Sequence, residues 1–236
     1  NNAKSHQLKS IISNAAALPQ QVKEQIIEHF GAGLLHETYG STEGGIISNL
    51  RPDDQLKKLQ CVGQAFPCTE IKTLTESGNI CEPNEVGELF STSPYLFNGY
   101  WKRPDDTKEA LVDGWLTVGD MAKQDEDGYL YIVDRKKDMV ISGGVNIYPR
   151  EIEDVLYNHP NIQDVAVIGV PDEKWGESLK AFIVTHNPNA LKSEEVLAFC
   201  EQNISKIKTP KIIEFIDSIP RNANGKVLKT TLRKDS

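Results

Sequence analysis

The stretch DRKKD at 134–138 places five charged residues in a row, and it constrains the fold more than any other segment. Such a run has nothing to add to a core, so the chain is expected to fold as separate bodies on its two sides, 1–135 and 136–236. The patterns on the two sides differ. Upstream, LKSIIS at 8–13 reads as a strand, 15–19 as a turn, and the following segment as a helix ending at Phe30, where Gly31 supplies a left-handed stop. Val22, Ile26 and Phe30 recur at i, i+4 and i+8 and give it one apolar stripe. One such β/α unit cannot cover both faces of a sheet, so the segment is expected to belong to a larger α/β domain. EIKTL at 70–74, GELFST at 87–92 and YLYIV at 129–133 then read as short strands, separated by turns such as ESGN at 76–79 and DEDG at 125–128. A small sheet or barrel is expected there.

Downstream of DRKKD come a strand, MVIS at 139–142, and then SGGVN. A helix follows over 149–159, with Pro149 at its first position, Glu151 and Glu153 in its first turn, and Ile152, Val155 and Leu156 on one face. Strands VAVIGV (165–170) and KAFIVTH (180–186) lead to a helix capped by Ser193 and carrying Val196, Leu197, Cys200 and Ile204. IIEFID at 212–217 reads as a strand, and PRNANGK at 220–226 as a loop. The fold class is therefore mixed α+β: the end of a large α/β-plus-β-barrel domain, then a small α+β domain.

Composition narrows the function classes. With 236 residues, 39% hydrophobic, 25% charged and a net charge of −8, the chain is globular rather than disordered, collagenous or membrane-spanning. It has no apolar run near the roughly 18 residues of a membrane helix. Its first residues, NNAKSHQLKS, lack the apolar core of a signal peptide, so a soluble, cytoplasmic protein is expected. Cys61, Cys68, Cys81 and Cys200 form no CxxC pair and have no histidines at ligand spacing, which disfavours structural zinc, and four cysteines in a chain this large are too few for a disulfide framework. The charge is uneven: 204–236 holds eight Lys/Arg against three Asp/Glu. That basic tail is either a solvated end or a face for a small phosphate-bearing ligand. Nucleic acid is disfavoured, because no aromatic residues interleave with the lysines and the rest of the chain is acidic.

Four segments could carry chemistry. In YGSTEGG at 39–45, glycines permit close backbone approach, Ser41 and Thr42 offer hydroxyls to phosphate, and Glu43 offers a hard oxygen to magnesium. Taken alone it is equally a flexible Gly/Ser turn. GWLTVGD at 114–120 ends on Asp120, suited to a ribose diol or to capping a turn. In 134–146, Arg135 could bond sugar or phosphate, and Gly143 and Gly144 leave room for a slim ligand; the alternative is a linker and a glycine-bulged strand. Lys226 stands in an Asn/Gly loop of the basic tail, where most lysines simply face water.

Order and spacing distinguish these segments from isolated turns. YGSTEGG, GELFSTSPYLFNGYWKRPDDT, DGWLTVGDMA, DRKKDMVISGGVNIYPREIE and IPRNANGK, in that order, resemble the adenylate-forming superfamily of acyl-CoA synthetases, luciferases and peptide-synthetase adenylation domains. The resemblance spans nearly the whole chain. It also implies a Ser/Thr/Gly-rich phosphate loop of the type TSGTTGxPK upstream, which nothing in 1–236 matches, so the sequence resembles the C-terminal half of such an enzyme. The N-terminal half is then an expected partner, and residues 1–236 alone are expected to be inactive.

By that resemblance, Tyr39 and Gly40 would border the adenine, Thr42 would meet the AMP phosphate, and Glu43 would help hold Mg²⁺. Asp120 and Arg135 would bind the ribose, Lys137 would be the hinge, and Gly143 and Gly144 would line the passage for the pantetheine arm of CoA. Lys226 would enter the site for adenylation. The implied substrates are a carboxylic acid, fatty in class, with ATP and CoA, and the substrate's own carboxylate is the nucleophile. SGGVNIYPREIE resembles fatty-acyl and related acid–CoA ligases more than peptide-synthetase domains, which places CoA first as acceptor. Ile141 departs from luciferase-type members, which carry a second lysine there. The rival readings are a nucleotide-binding fragment without turnover and an acyl-AMP ligase that loads a carrier protein.

Overall fold

A computed structural model describes residues 7–16, 18–187, 191–223 and 225–234. Positions 17 and 224, within the expected turn and loop, lie outside these, as do most of the first ten residues. The chain divides into two compact units, Asn1–Ile132 and Val133–Ser236, and the fold is mixed α+β with several sheets and few helices.

The first unit opens with a β-α-β element. β1 (Ile11–Ser13) is shorter than LKSIIS suggests and lies parallel to β2 (Leu35–Ser41), with α1 (Gln20–Phe30) between them. Of the stripe on α1, Ile26 and Phe30 are half-buried but Val22 is exposed, and the fully buried residue is Lys23. Its ammonium meets the Glu37 carboxylate of β2 at 2.6 Å, both side chains almost fully buried. Removing one partner of such a pair strands the other charge, at a cost of about 3–5 kcal/mol. Gly31 ends the helix at φ 97°, a region closed to most side chains.

β3 (Gly45–Leu50) pairs antiparallel with β2, and β4 (Gln64–Ala65) with β3, completing a four-stranded sheet. A second sheet holds β5 (Glu70–Leu74), β6 (Gly87–Thr92), β7 (Leu111–Val112), β8 (Trp115–Leu116), β9 (Asp120–Gln124) and β10 (Leu130–Arg135), in agreement with the turn-punctuated pattern. β10 runs across the point where the units divide. A backbone bridge between Gly63 and Leu130 joins the two sheets, over a core of Val62, Leu89, Ala122 and Leu130 against which Tyr39 packs. α2 (Pro104–Ala110) precedes β7.

In the second unit, β11 (Val140–Ser142) and β12 (Val145–Ile147) form a hairpin. Gly143 and Gly144, at φ 58° and 80°, make its two-residue turn, which demands positive φ at both positions, so they close a hairpin rather than bulge a strand. α3 (Pro149–Leu156) follows, and the buried Asp134 carboxylate accepts its Arg150 N–H at 2.9 Å, satisfying an exposed donor of the first turn. β13 (Ile162–Asp172) and β14 (Gly176–Thr185) form the long central pair.

α4 (Ser193–Asn203) connects β14 to β15 (Ile212–Phe215), which lies parallel beside β14. Ser193 is the first residue of α4 rather than its cap; the Glu195 carboxylate accepts the Lys192 N–H at 2.8 Å instead. Along β13, Val165 and Val167 face the core under α3 and α4, while Ala166, Ile168 and Val170 face a second core. Burial on both faces explains why VAVIGV is a continuous apolar run. The second core is closed by the tail, through Ile219, Val227 and Leu232 of α5 (Lys229–Leu232). Truncating the fully buried Ile152 or Leu156 to Ala is expected to cost about 2–5 kcal/mol.

Candidate active site

YGSTEGG is half strand and half turn. Tyr39, Gly40 and Ser41 end β2, and Thr42, Glu43 and Gly44 turn the chain into β3. The register slips between Tyr39 and Gly40, so Gly40 opposes Ile46 while the Gly45 carbonyl presses on it. A Cβ at Gly40 would lie 2.0 Å from that oxygen, so only glycine fits. Ser41 Oγ accepts the Gly44 N–H at 3.0 Å and tightens the turn.

The turn holds Glu43 at both ends. Its backbone carbonyl accepts the Phe97 N–H at 2.7 Å, and its carboxylate accepts the Tyr100 hydroxyl at 2.6 Å. The bond to Glu43 and partial burial push the Tyr100 phenol up to about 12, so it remains a donor at neutral pH. Thr107 of α2 accepts the Tyr100 N–H at 2.9 Å, tying the tyrosine's backbone in place.

Tyr39 and Asp120 come together. Asp120 is the first residue of β9 and is buried, and its carboxylate accepts the Tyr39 hydroxyl at 2.5 Å. Gly119, at φ 74°, makes the sharp entry into that strand. Thr117 Oγ1 accepts the Gly119 N–H at 3.2 Å and donates to Glu88 of β6 at 2.7 Å. The first unit thus brings a tyrosine, a buried carboxylate and a rigid hydroxyl- and carboxylate-bearing turn into one sheet assembly. Those groups suit a nucleoside sugar, a phosphate and a hard cation.

In the second unit, Arg135 ends β10 and Lys137 lies exposed in a short 3₁₀ turn, Lys136–Asp138. The Arg135 N–H is bonded to the Asp134 carboxylate at 2.7 Å. The Gly143–Gly144 turn is anchored by the Gly143 N–H to the Trp175 carbonyl at 2.9 Å, with the indole so close that a Cβ on Gly143 would meet it at 2.7 Å. No Cβ would find a neighbour within 4 Å at Gly144. Lys226 sits in an exposed loop whose backbone is closed by Asn222: its side-chain oxygen accepts the Lys226 N–H at 2.9 Å, and its own N–H donates to the Lys226 carbonyl at 2.9 Å. Among the described residues, no three His, Cys, Asp or Glu side chains gather as a metal cluster. Tyr100 carries no signal of its role in sequence, since its partner Glu43 lies 57 positions away.

Residues 1–101 match the family model described as AMP-binding enzyme, and residues 151–226 match that of the AMP-binding enzyme C-terminal domain. The long-chain-fatty-acid–CoA ligase of Bacillus subtilis (strain 168) is 40% identical over 229 residues, which cover 97% of this chain and 41% of the relative. That of Escherichia coli O157:H7 is 40% identical over 227 residues, covering 95% and 40%. The chain therefore spans about two fifths of the length of these curated relatives. Among solved structures, the amide bond synthetase McbA from Marinactinospora thermotolerans superposes with a TM-score of 0.89 at 32% identity, over 96% of this chain and 46% of that one. O-succinylbenzoate coenzyme A synthetase from Bacillus subtilis, in complex with ATP and magnesium ion, superposes at 0.85 and 33%, over 94% and 46%. No helix among the described residues is long and apolar enough to cross a membrane.

Proposed function

The chain belongs to the adenylate-forming superfamily, and from that premise we propose that it is part of an AMP-forming acid–CoA ligase acting on a fatty acid. The observation that carries the reading is the Tyr39–Asp120 contact, which brings together two residues, from motifs 81 positions apart, that are expected to face the nucleoside. Identity of 40% to long-chain-fatty-acid–CoA ligases supports the acid class and CoA as acceptor.

In the first step a substrate carboxylate oxygen attacks the α-phosphorus of ATP and the bond to pyrophosphate breaks. Tyr39 and Gly40 border the adenine, Asp120 and Arg135 hold the ribose hydroxyls, and Thr42 bonds the α-phosphate. The Lys226 ammonium stabilises charge developing on the phosphoryl oxygens. Glu43 fits Mg²⁺, which commonly takes one or two carboxylates and completes its shell with substrate phosphates and water; Tyr100 fixes that carboxylate. Bound there, the ion would neutralise charge on the departing pyrophosphate. In the second step the CoA thiol, its proton lost, attacks the acyl carbon, and the bond to AMP breaks. The pantetheine arm passes the Gly143–Gly144 turn after the small domain rotates about Lys137. The phosphate loop belongs to the N-terminal half of the same enzyme.

The test is product analysis of the full-length enzyme. A long-chain acid with ATP and Mg²⁺ should release pyrophosphate and retain an acyl-adenylate, and added CoA should then yield acyl-CoA and AMP. Formation of ADP, or transfer to a carrier protein but not to CoA, would exclude the reading.

A further inference from the structure

The loop that presents Lys226 is tied down on both sides, to Glu153 of α3 and to Asp164 of β13. Glu153 of α3 and Tyr157, the residue that caps its C-terminus, are four positions apart and so stand side by side. Downstream of the loop, Lys229 meets Glu153 at 2.8 Å, both mostly buried, and Glu153 also accepts the Val167 N–H at 2.7 Å. Upstream, Arg221 sets its Nη2 on both oxygens of Asp164, at 2.8 and 2.9 Å. Tyr157 donates its hydroxyl to the same carboxylate at 2.5 Å. The other arm of the guanidinium, Nη1, donates to the Gly225 carbonyl at 2.7 Å, next to Lys226. A backbone bridge between Arg221 and Val227 closes the base.

We propose that Arg221, seated on Asp164, is a positioning residue for Lys226: it fixes the loop from which the ammonium is delivered in adenylation. The proposal rests on the adenylating role of Lys226 argued above. A flexible lysine on a flexible loop would have to be ordered within the transition state. A loop closed beforehand leaves only the side chain to be placed. The planar fork is what the site uses, since one arm, Nη2, reaches a carboxylate while the other, Nη1, reaches a carbonyl. A lysine ammonium keeps the charge but cannot span both partners.

The test compares Arg221→Lys, Arg221→Gln, Lys226→Ala and the double variant Arg221→Lys/Lys226→Ala in the full-length enzyme, following adenylate formation and, from pre-made adenylate, thioester formation. Arg221→Lys should slow adenylate formation roughly 10- to 100-fold, leave the thioester step unchanged and barely alter the melting temperature. The double variant should be no slower than Lys226→Ala, because the loop then has no ammonium to place. Equal losses in both half-reactions, or multiplied losses in the double variant, would overturn the positioning role. Should Arg221→Gln unfold the domain, Asp164→Asn with Arg221→Lys decides the same question. Unimpaired adenylation by Lys226→Ala alone would instead refute the role of Lys226, and the proposal with it.

Discussion

The phenolic hydroxyl of Tyr39 bonds the Asp120 carboxylate at 2.5 Å, joining the end of β2 to the start of β9. Buried carboxylates need donors, and the two hydroxyls of a ribose diol would join the Tyr39 hydroxyl in supplying them. Asp120→Asn keeps the shape and loses the charged acceptor. The Kd for ATP in the full-length enzyme should rise roughly 10- to 100-fold, the worth of one hydrogen bond to a charged group, by calorimetric titration. Unchanged affinity would remove Asp120 from the site.

Lys226→Ala should slow adenylate formation by roughly 10²–10³, the scale set by losing one donor to a developing oxyanion. Thioester formation from supplied acyl-adenylate should persist. Rapid-quench measurement of each half-reaction separates the two, and equal losses would contradict the assignment.

Lys137 lies in the 3₁₀ turn Lys136–Asp138, where Met139 N–H still reaches the Arg135 carbonyl at 3.1 Å. Lys137→Pro locks φ near −65° and disfavours the helical conformation of Lys136 (roughly ψ +120 to +160° instead). Rotation about this segment should be blocked: adenylation should continue and CoA transfer should fall sharply, with a modest fall in melting temperature from the strain placed on Lys136. Thioester formation from isolated adenylate at the unmodified rate would move the pivot elsewhere.

Asp172 supports the turn that seats Trp175 against Gly143. Its carboxylate accepts Lys211 Nζ at 2.6 Å and the N–H groups of Lys174 and Trp175, each at 3.0 Å. The Lys211 bond foremost lowers the Asp172 carboxyl to about 2. Because this lies below the unfolded value of about 3.9, the pair stabilises the fold fully above pH ~4 and ceases to do so as pH falls through about 2. Asp172→Asn should flatten the acid unfolding curve in that window, and the difference should shrink in high salt. Identical curves would show that the pair does not contribute.

The elements of the second unit were readable wherever burial leaves an apolar signature. VAVIGV became β13 because both its faces are covered, and the Pro149 start of α3 matches a helix whose first N–H is dispensable. Reading failed where polar pairs replace apolar ones. The apolar spacing on α1 runs through Val22, whereas Lys23 is inside because Glu37 pairs with it from β2. α2, PDDTKEA, has no apolar stripe to detect. Tyr39, Glu43 and Asp120 stood out as motif residues, but spacing alone could not bring Tyr39 to Asp120 or Tyr100 to Glu43. Arg221 was similarly hidden, since its partner Asp164 lies 57 positions upstream.

The central claim is attack of the substrate carboxylate on the α-phosphorus of ATP. It is tested by giving the full-length enzyme a long-chain acid labelled with ¹⁸O in both carboxylate oxygens, with ATP, Mg²⁺ and CoA, and weighing the released AMP by mass spectrometry. One labelled oxygen should appear in each AMP, carried over when the thiol breaks the acyl–oxygen bond, and none in pyrophosphate. Unlabelled AMP, or label in inorganic phosphate or pyrophosphate, would contradict the acyl-adenylate route.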